Sequence, residues 1–351
     1  MPTRRIWHRL SMPRPPPLPA TRLYADNSRT LINRVDSPDL GFRWTINPYR
    51  GCEHGCIYCY ARPYHEQLGF SSGLDFETRI TVKYHAAEIL RRELTHPRWA
   101  AEPIVMCGVT DAYQPIERRL GITRACLEVM AESRQPVSIA TKNRLVLRDL
   151  DLLKSLNSHQ AASVAISLTT LDPRLSACME PRASCPADRL ATIRRLAEAE
   201  VPVSVLLAPI IPGLNDCEIP RLLQEAAAAG ATAAGWILIR LPHQNRFLFM
   251  DWLRRWYPDR ARRIEAAIRQ ARAGRLSDAS YGSRMRGSGA HAQLIRRTFN
   301  VFCERYGLHS YDRSQTAAKQ LSGAAFRRPQ DDGSQMFLFE AGEEEGELMM
   351  P

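Results

Sequence analysis

The feature that most constrains the fold is a regular alternation of short apolar segments with segments of helical periodicity. Six apolar segments predict strands, at residues 42–46, 103–107, 137–141, 163–168, 201–208 and 233–239. Each is followed by a predicted helix, and parallel strands need such crossovers. Because six units are too few to close an eight-stranded barrel, we expect an α/β fold, a partial (β/α)6 TIM-like barrel.

The composition divides the chain into four predicted segments. Residues 1–38 form a basic, Pro-rich arm, and residues 39–275 form the core domain. Residues 276–328 form a C-terminal extension whose helical pattern predicts a cap on the barrel, and residues 329–351 form an acidic tail. The polar composition of the arm and the tail predicts flexible N- and C-terminal extensions.

The net charge of +11 permits nucleic acid as a partner without requiring it. There is no apolar run of 18 residues, so we expect no membrane span. The basic N-terminus has no apolar segment of the kind found in secretory signals, which predicts a cytoplasmic, thiol-reducing location. Nothing in the sequence indicates the oligomeric state.

Nine cysteines, an odd number, argue against a disulfide framework in such a compartment. Three of them, Cys52, Cys56 and Cys59, have the spacing C-x3-C-x2-C directly after the first predicted strand. Three thiolates in one loop indicate either zinc or an iron–sulfur cluster. Zinc needs a fourth ligand, which His54, His65 or a remote cysteine could supply, and would make the chain a non-enzymatic, zinc-stabilised binding module. A [4Fe–4S] cluster needs no fourth protein ligand and keeps one iron open for a cofactor or substrate.

The cysteine spacing, with the aromatic Tyr58 just before Cys59, resembles the radical S-adenosylmethionine (SAM) superfamily. The longer motif NPYRGCEHGCIYCYARPYHEQLG is similar to the branch related to spore photoproduct lyase, whose members are described as DNA repair photolyase-like. The resemblance extends over residues 40–310, and the superfamily's fold is the partial barrel predicted above.

This resemblance implies that a [4Fe–4S] cluster reductively cleaves SAM to methionine and a 5′-deoxyadenosyl radical. The radical then abstracts hydrogen from a substrate that the sequence does not identify. A one-electron reductant of the flavodoxin or ferredoxin type is implied as a partner. A lyase acting on DNA lesions of the spore-photoproduct type is the alternative activity.

The resemblance also implies roles for individual residues. Tyr58 lies beside the adenine, and Lys142 pairs with the SAM carboxylate. Ordinary loop packing for Tyr58 and a surface charge for Lys142 remain the alternatives. The implied metal ligands are Cys52, Cys56 and Cys59, and the implied SAM contacts are Tyr58, Thr110, Asp111, Lys142, Ser167 and Ile211.

Three further residues lie near predicted strand ends. In spore photoproduct lyase a cysteine on the second strand returns a hydrogen atom, but Cys107 is offset from it by one residue. Because a one-residue shift turns a strand side chain to the other face, we expect Cys107 in the core. Arg182 and Arg240 could each bind a substrate anion or form a structural ion pair, and we expect an ion pair for Arg240.

Overall fold

The computed structural model describes residues 20–311 and 320–329. Its strands are β1 (Arg22–Ala25), β2 (Ile32–Arg34), β3 (Trp44–Ile46), β4 (Tyr49–Arg50), β5 (Arg79–Val82), β6 (Ile104–Met106), β7 (Val137–Thr141), β8 (Ala162–Ser167), β9 (Val203–Ile210), β10 (Ala233–Leu238) and β11 (His309–Ser310). Its α-helices are α1 (Asp75–Thr78), α2 (Ala86–Thr95), α3 (Glu117–Leu120), α4 (Ile122–Ser133), α5 (Leu150–Asn157), α6 (Pro173–Met179), α7 (Pro186–Glu198), α8 (Ile219–Ala228), α9 (Asn245–Trp256), α10 (Ala261–Gln270), α11 (Ser283–Arg286) and α12 (Gly289–Arg305). Short 3-10 helices lie at Arg62–Leu68, Arg144–Asp149 and Asp216–Glu218.

The main sheet has eight strands in the order β11-β10-β9-β8-β7-β6-β3-β2. The run from β3 to β10 is parallel throughout and contains the six predicted strands. All of their carboxyl ends therefore lie at the same edge of the sheet, where ligands bind in folds of this type. The predicted partial (β/α)6 barrel is confirmed.

The strands form a continuous core because they are buried on both faces. Five of the six residues of β8 are buried, although its sequence, ASVAIS, is only partly apolar. Helices cover the outside through apolar stripes, as α8 does with Ile219, Leu222, Leu223 and Ala226. Apolar residues at this helical spacing are the pattern from which the helices were predicted.

A second sheet, with the order β1-β5-β4, was not predicted. Strand β1 pairs in parallel with β5, and β2 pairs with the edge of the main sheet, so residues 22–25 and 32–34 of the predicted arm belong to the folded body. These strands are short and half exposed, which gives them no apolar alternation to recognise. The four domain boundaries stay predictions. Residues 1–19 and, except for Pro329, the acidic tail lie outside the described residues.

The segment 276–328, predicted as a helical cap, contains α12, which packs on α8. Helix α10 of the predicted core segment packs on both α9 and α12. Among the residues with described structure, no helix has the length and apolar character needed to cross a membrane.

Candidate functional site

The loop with the three cysteines is shaped by two glycines. It leaves β4 through Gly51, whose φ is +80°, and turns again at Gly55, whose φ is +67°. A Cβ atom at Gly55 would lie 2.5 Å from Oε2 of Glu77. Only glycine combines this backbone conformation with so close an approach, so the two glycines are needed for the loop's path.

Arg62 fixes the backbone of this loop from within. Its side chain is 1% exposed, and its guanidinium donates to the carbonyl oxygens of Cys56 at 3.0 Å and Gly55 at 3.2 Å. It also pairs with Glu77 at 2.5 Å. Main-chain groups and one carboxylate therefore hold the loop, and the thiols are not used for this purpose.

The three thiols lie in a largely apolar environment. Cys52 and Cys56 are each 7% exposed, Cys59 is half-buried, and all three are free of disulfides. Burial raises the pKa of all three thiols, that of Cys56 to about 12. A metal that binds here must displace the thiol protons, as metal–thiolate bonding does generally.

The chemistry of this donor set suits a cluster better than a single ion. Within residues 20–311 and 320–329, no three His, Cys, Asp or Glu side chains gather closely enough to hold one metal ion. Zinc draws each thiolate to about 2.3 Å from a common centre, whereas each cysteine of a [4Fe–4S] cluster binds a different iron. The arrangement gives no support to zinc and fits three ligands of a cluster.

Thr110 and Asp111 follow β6 and connect the cysteine loop to the neighbouring strand end. Thr110 donates to the carbonyl oxygen of Gly51 at 2.6 Å. Asp111 lies 3.3 Å from His54 and accepts from the Thr141 hydroxyl at 2.7 Å. Burial opposes ionisation of Asp111, but His54 and these hydrogen bonds outweigh it and hold its pKa well below the usual range. Both side chains thus have partners within the protein.

Tyr58 and Lys142, two of the residues implied as SAM contacts, lie close together in the structure. The Lys142 ammonium lies 5.9 Å from the centroid of the Tyr58 ring. Burial lowers the pKa of Lys142, but Cys56 and Glu180 outweigh it, so the pKa is raised and the ammonium is charged. No carboxylate in the described part of the chain lies within 4.0 Å of this ammonium. A charged group facing an aromatic ring, with no carboxylate of the described residues in direct contact with it, suits a carboxylate-bearing ligand.

The hydrogen-bond partner of the Tyr58 hydroxyl, and the residues around that partner, were not predicted from the sequence. The Tyr58 hydroxyl donates to Glu180, which also pairs with Arg189 and accepts from Thr169 at 2.8 Å. Glu180 and Arg189 are almost completely buried. Glu180 is 122 residues from Tyr58 along the chain, and only the fold brings the two together.

Ser167 and Ile211 occupy the next two strand ends. The Ser167 hydroxyl donates to the carbonyl oxygen of Ala208 at 3.3 Å, so it has a main-chain partner. Ile211 is fully buried in the apolar cluster that includes Cys56 and Tyr58. The structure therefore brings Ile211 to the cysteine loop, while the hydroxyl of Ser167 is held by the neighbouring strand.

The remaining strand-end residues differ in outcome. Cys107 is 8% exposed and belongs to the main core cluster, as expected, although its φ is +73°. Arg182 forms an ion pair with Glu77 at 3.5 Å. The ion pair expected for Arg240 was wrong: no acid among the described residues lies within 4.0 Å of it, and its guanidinium lies 5.5 Å from the Tyr60 ring centroid. The error has a local cause, since the nearby Asp39 pairs with Arg284 instead.

Comparison with known proteins identifies the family. The sequence profile of the Radical SAM superfamily matches residues 46–226. An uncharacterized protein of Mycobacterium tuberculosis is 38% identical over 245 residues, which cover 69% of this chain and 72% of that protein. An uncharacterized protein of Methanocaldococcus jannaschii is 30% identical over 187 residues, which cover 53% of this chain and 67% of that protein.

Solved structures support the fold. A variant of spore photoproduct lyase matches with a TM-score of 0.58 at 17% identity, over 82% of this chain and 81% of the lyase. Spore photoproduct lyase complexed with dinucleoside spore photoproduct matches with a TM-score of 0.56 over the same shares of both chains. The architecture is thus shared with spore photoproduct lyase, and the profile match covers the loop with the three cysteines. This chain belongs to the radical SAM superfamily.

Proposed function

We propose that this protein is a radical SAM enzyme whose Cys52, Cys56 and Cys59 hold a [4Fe–4S] cluster. The observation that carries the proposal is the convergence of three free thiols, an aromatic ring and an ammonium at the carboxyl ends of the parallel strands, with no described carboxylate within 4.0 Å of that ammonium. When bound, the reduced cluster and SAM supply a 5′-deoxyadenosyl radical that removes hydrogen from a substrate. A flavodoxin or ferredoxin is the proposed electron donor.

The chain's own residues bind and orient SAM in this proposal. The Lys142 ammonium pairs with the SAM carboxylate, and the Tyr58 ring and Ile211 border the adenine. The Thr110–Asp111 loop borders the SAM amino group, with Asp111 acting as a positioning residue through His54 and Thr141. Ser167 lies on the ribose side. The apolar cluster of Cys56, Tyr58 and Ile211 keeps water from the reacting groups.

The test is formation of 5′-deoxyadenosine by anaerobically reconstituted protein given dithionite and SAM. We expect product from the wild type and none from Cys56→Ala. Cys185→Ala removes an exposed cysteine outside the loop and should retain activity. Iron and sulfide should each be near four per chain, by cluster stoichiometry. Protein that holds zinc instead of iron would contradict the proposal.

A DNA lesion lyase is the second candidate, favoured by the shared fold with spore photoproduct lyase and by the net charge of +11. It predicts repair of an oligonucleotide carrying the spore photoproduct, with affinity that falls steeply as salt rises. Absence of DNA binding at low salt would contradict this activity while leaving the broader radical SAM proposal standing.

A further inference from the structure

Arg240, at the edge of the site, is a cation for which the described residues provide no anionic partner. It follows β10 by two residues, at the carboxyl end of the last core strand. Its guanidinium lies over the Tyr60 ring, and its Nη1 atom lies 3.6 Å from the Met285 sulfur, which is a weak acceptor. Across the part of the chain that the structure describes, no carboxylate approaches it within 4.0 Å.

The other arginines at this end of the barrel have strong acceptors. Arg62 and Arg189 each pair with a glutamate, and Arg284 pairs with Asp39. Arg272 donates to the carbonyl oxygen of Ile239 at 2.9 Å. Arg240 is half-buried, as Arg284 is, and desolvating an unpaired charge is costly. Its unused donors therefore point to a partner that the described residues do not supply.

The surroundings of Arg240 are electropositive. Burial and the neighbouring Arg284 lower the pKa of Arg240. Arg272 adds a second buried guanidinium, whose Nη1 atom has no hydrogen-bond partner among the described residues. The nearby Asp39 already forms an ion pair with Arg284. An incoming anion would thus meet the guanidinium groups of Arg240 and Arg272, neither of which has a carboxylate within 4.0 Å among the described residues.

Tyr60 connects this place to the cysteine loop. It follows Cys59 directly, and its hydroxyl donates to the carbonyl oxygen of Gly108 after β6. Its side chain is 42% exposed. Two more exposed tyrosines contribute to the same rim: Tyr281, which lies under Arg284 at 4.7 Å, and Tyr64. The unpaired guanidinium is therefore backed by an aromatic face next to the proposed cluster.

We infer that Arg240 binds an oxyanion of the substrate, a carboxylate or a phosphate, through a bidentate hydrogen-bonded pair backed by Tyr60. The inference depends on the proposed function in one respect, since it takes the molecule that carries the anion to be the enzyme's substrate. Anion binding at Arg240 is a property of the folded chain and is measured without reductant or turnover.

The first test is calorimetric titration of pyrophosphate into reconstituted full-length protein. We expect Arg240→Gln to weaken binding at least about 10-fold, as loss of charge-assisted hydrogen bonds does. Arg305→Gln is the matched control, because Arg305 also lies over an aromatic ring, Phe302, but is exposed on α12, away from the cysteine loop. It should bind within about twofold of the wild type. Equal weakening by both variants, or no binding by the wild type, would overturn the inference.

A second measurement uses the unmutated protein and so does not depend on the folding of a variant. Phenylglyoxal modification of Arg240 and Arg305 is followed by peptide mass spectrometry at constant ionic strength. Pyrophosphate, citrate and a short single-stranded oligonucleotide serve as separate arms, which distinguish free phosphate, carboxylate and phosphodiester sources. Selective slowing at Arg240 by at least one arm supports the inference, and absence of slowing in all three overturns it. Protection without 5′-deoxyadenosine formation would instead count against the proposed function alone.

Discussion

Two regions at the same end of the barrel use arginine in opposite ways. In the cysteine loop, Arg62 is buried, and each nitrogen of its guanidinium donates to a carbonyl oxygen or to Glu77. At the end of β10, Arg240 lies over Tyr60 and meets a methionine sulfur but no carboxylate within the described residues. A saturated arginine holds its own chain in one conformation, whereas an unsaturated one is available to a ligand. Lys142 belongs with Arg240 in this respect.

The largest effect is expected for Arg62→Met. The substitution leaves Glu77 buried with only the longer contact to Arg182 at 3.5 Å. Breaking a buried pair from one side costs about 3–5 kcal/mol of unfolding free energy. Urea denaturation of the metal-free protein measures this cost. Arg240→Met is the matched variant, and a change below about 1 kcal/mol is expected because no protein partner is lost. Similar losses in both variants would remove the distinction between the two regions.

Lys142→Met tests the second unpaired cation. Since no carboxylate of the described residues lies within 4.0 Å of the Lys142 ammonium, its loss should lower the free energy of unfolding only slightly and weaken SAM binding by about 10- to 100-fold. Equilibrium dialysis of labelled SAM with reconstituted protein provides the measurement. Lys154→Met, at an exposed position on α5, should bind SAM like the wild type. Unaltered SAM affinity in Lys142→Met would contradict the role assigned to this residue.

The pH dependence of stability tests whether Asp39, an acid near Arg240, forms its ion pair with Arg284. Burial raises the pKa of Asp39, but hydrogen bonds from Arg284 and Ser37 outweigh it and lower the pKa to about 2, from an ordinary 3.8. A carboxyl whose pKa is lowered by folding stabilises the protein above its unfolded pKa and loses this contribution as the pH falls towards the folded value. At neutral pH the contribution is about 2 kcal/mol.

The unfolding free energies of wild type and Asp39→Asn should therefore differ most near neutrality and converge between about pH 4 and pH 2. Urea titrations at several pH values follow the difference. A difference in unfolding free energy that does not depend on pH would show that the Asp39–Arg284 ion pair does not cause it. Asp39 would then be available as a partner for Arg240.

The smallest effect is expected for Thr110→Val. The substitution removes the 2.6 Å hydrogen bond to the Gly51 carbonyl oxygen and leaves Gln114 as a weaker donor at 3.5 Å. One neutral hydrogen bond contributes about 1 kcal/mol. Thermal unfolding and iron content together measure the result, because the loop should be destabilised slightly and still bind iron. Complete loss of iron would mean that Thr110 does more than hold the loop.

The sequence predicted the parts of this molecule that depend on local pattern. Apolar segments and helical stripes record burial residue by residue, so all six core strands were found, and β7 was found with its observed bounds, Val137–Thr141. The cysteine loop was found because its three thiols lie within eight residues. The short strands β4 and β5, which support that loop, have too few residues to show a period.

Polar partners that are far apart in the sequence produce no local pattern of this kind. Glu180 reaches Tyr58 across 122 residues, and Asp39 reaches Arg284 across 245. The expected ion pair of Arg240 failed for the same reason, since charges along a sequence do not reveal which acid lies beside which base. The family resemblance supplied the proposed location of the SAM site, and the fold supplied the internal partners of Thr110, Asp111 and Tyr58.

The most direct test of the central claim is the electron paramagnetic resonance spectrum of the dithionite-reduced protein, with and without SAM. Three cysteine ligands leave one iron of a [4Fe–4S] cluster open. We therefore expect the signal of a reduced four-iron cluster, shifted when SAM is added, and absent in Cys56→Ala. A signal that SAM leaves unchanged, or protein that contains zinc and gives no signal, would contradict the account.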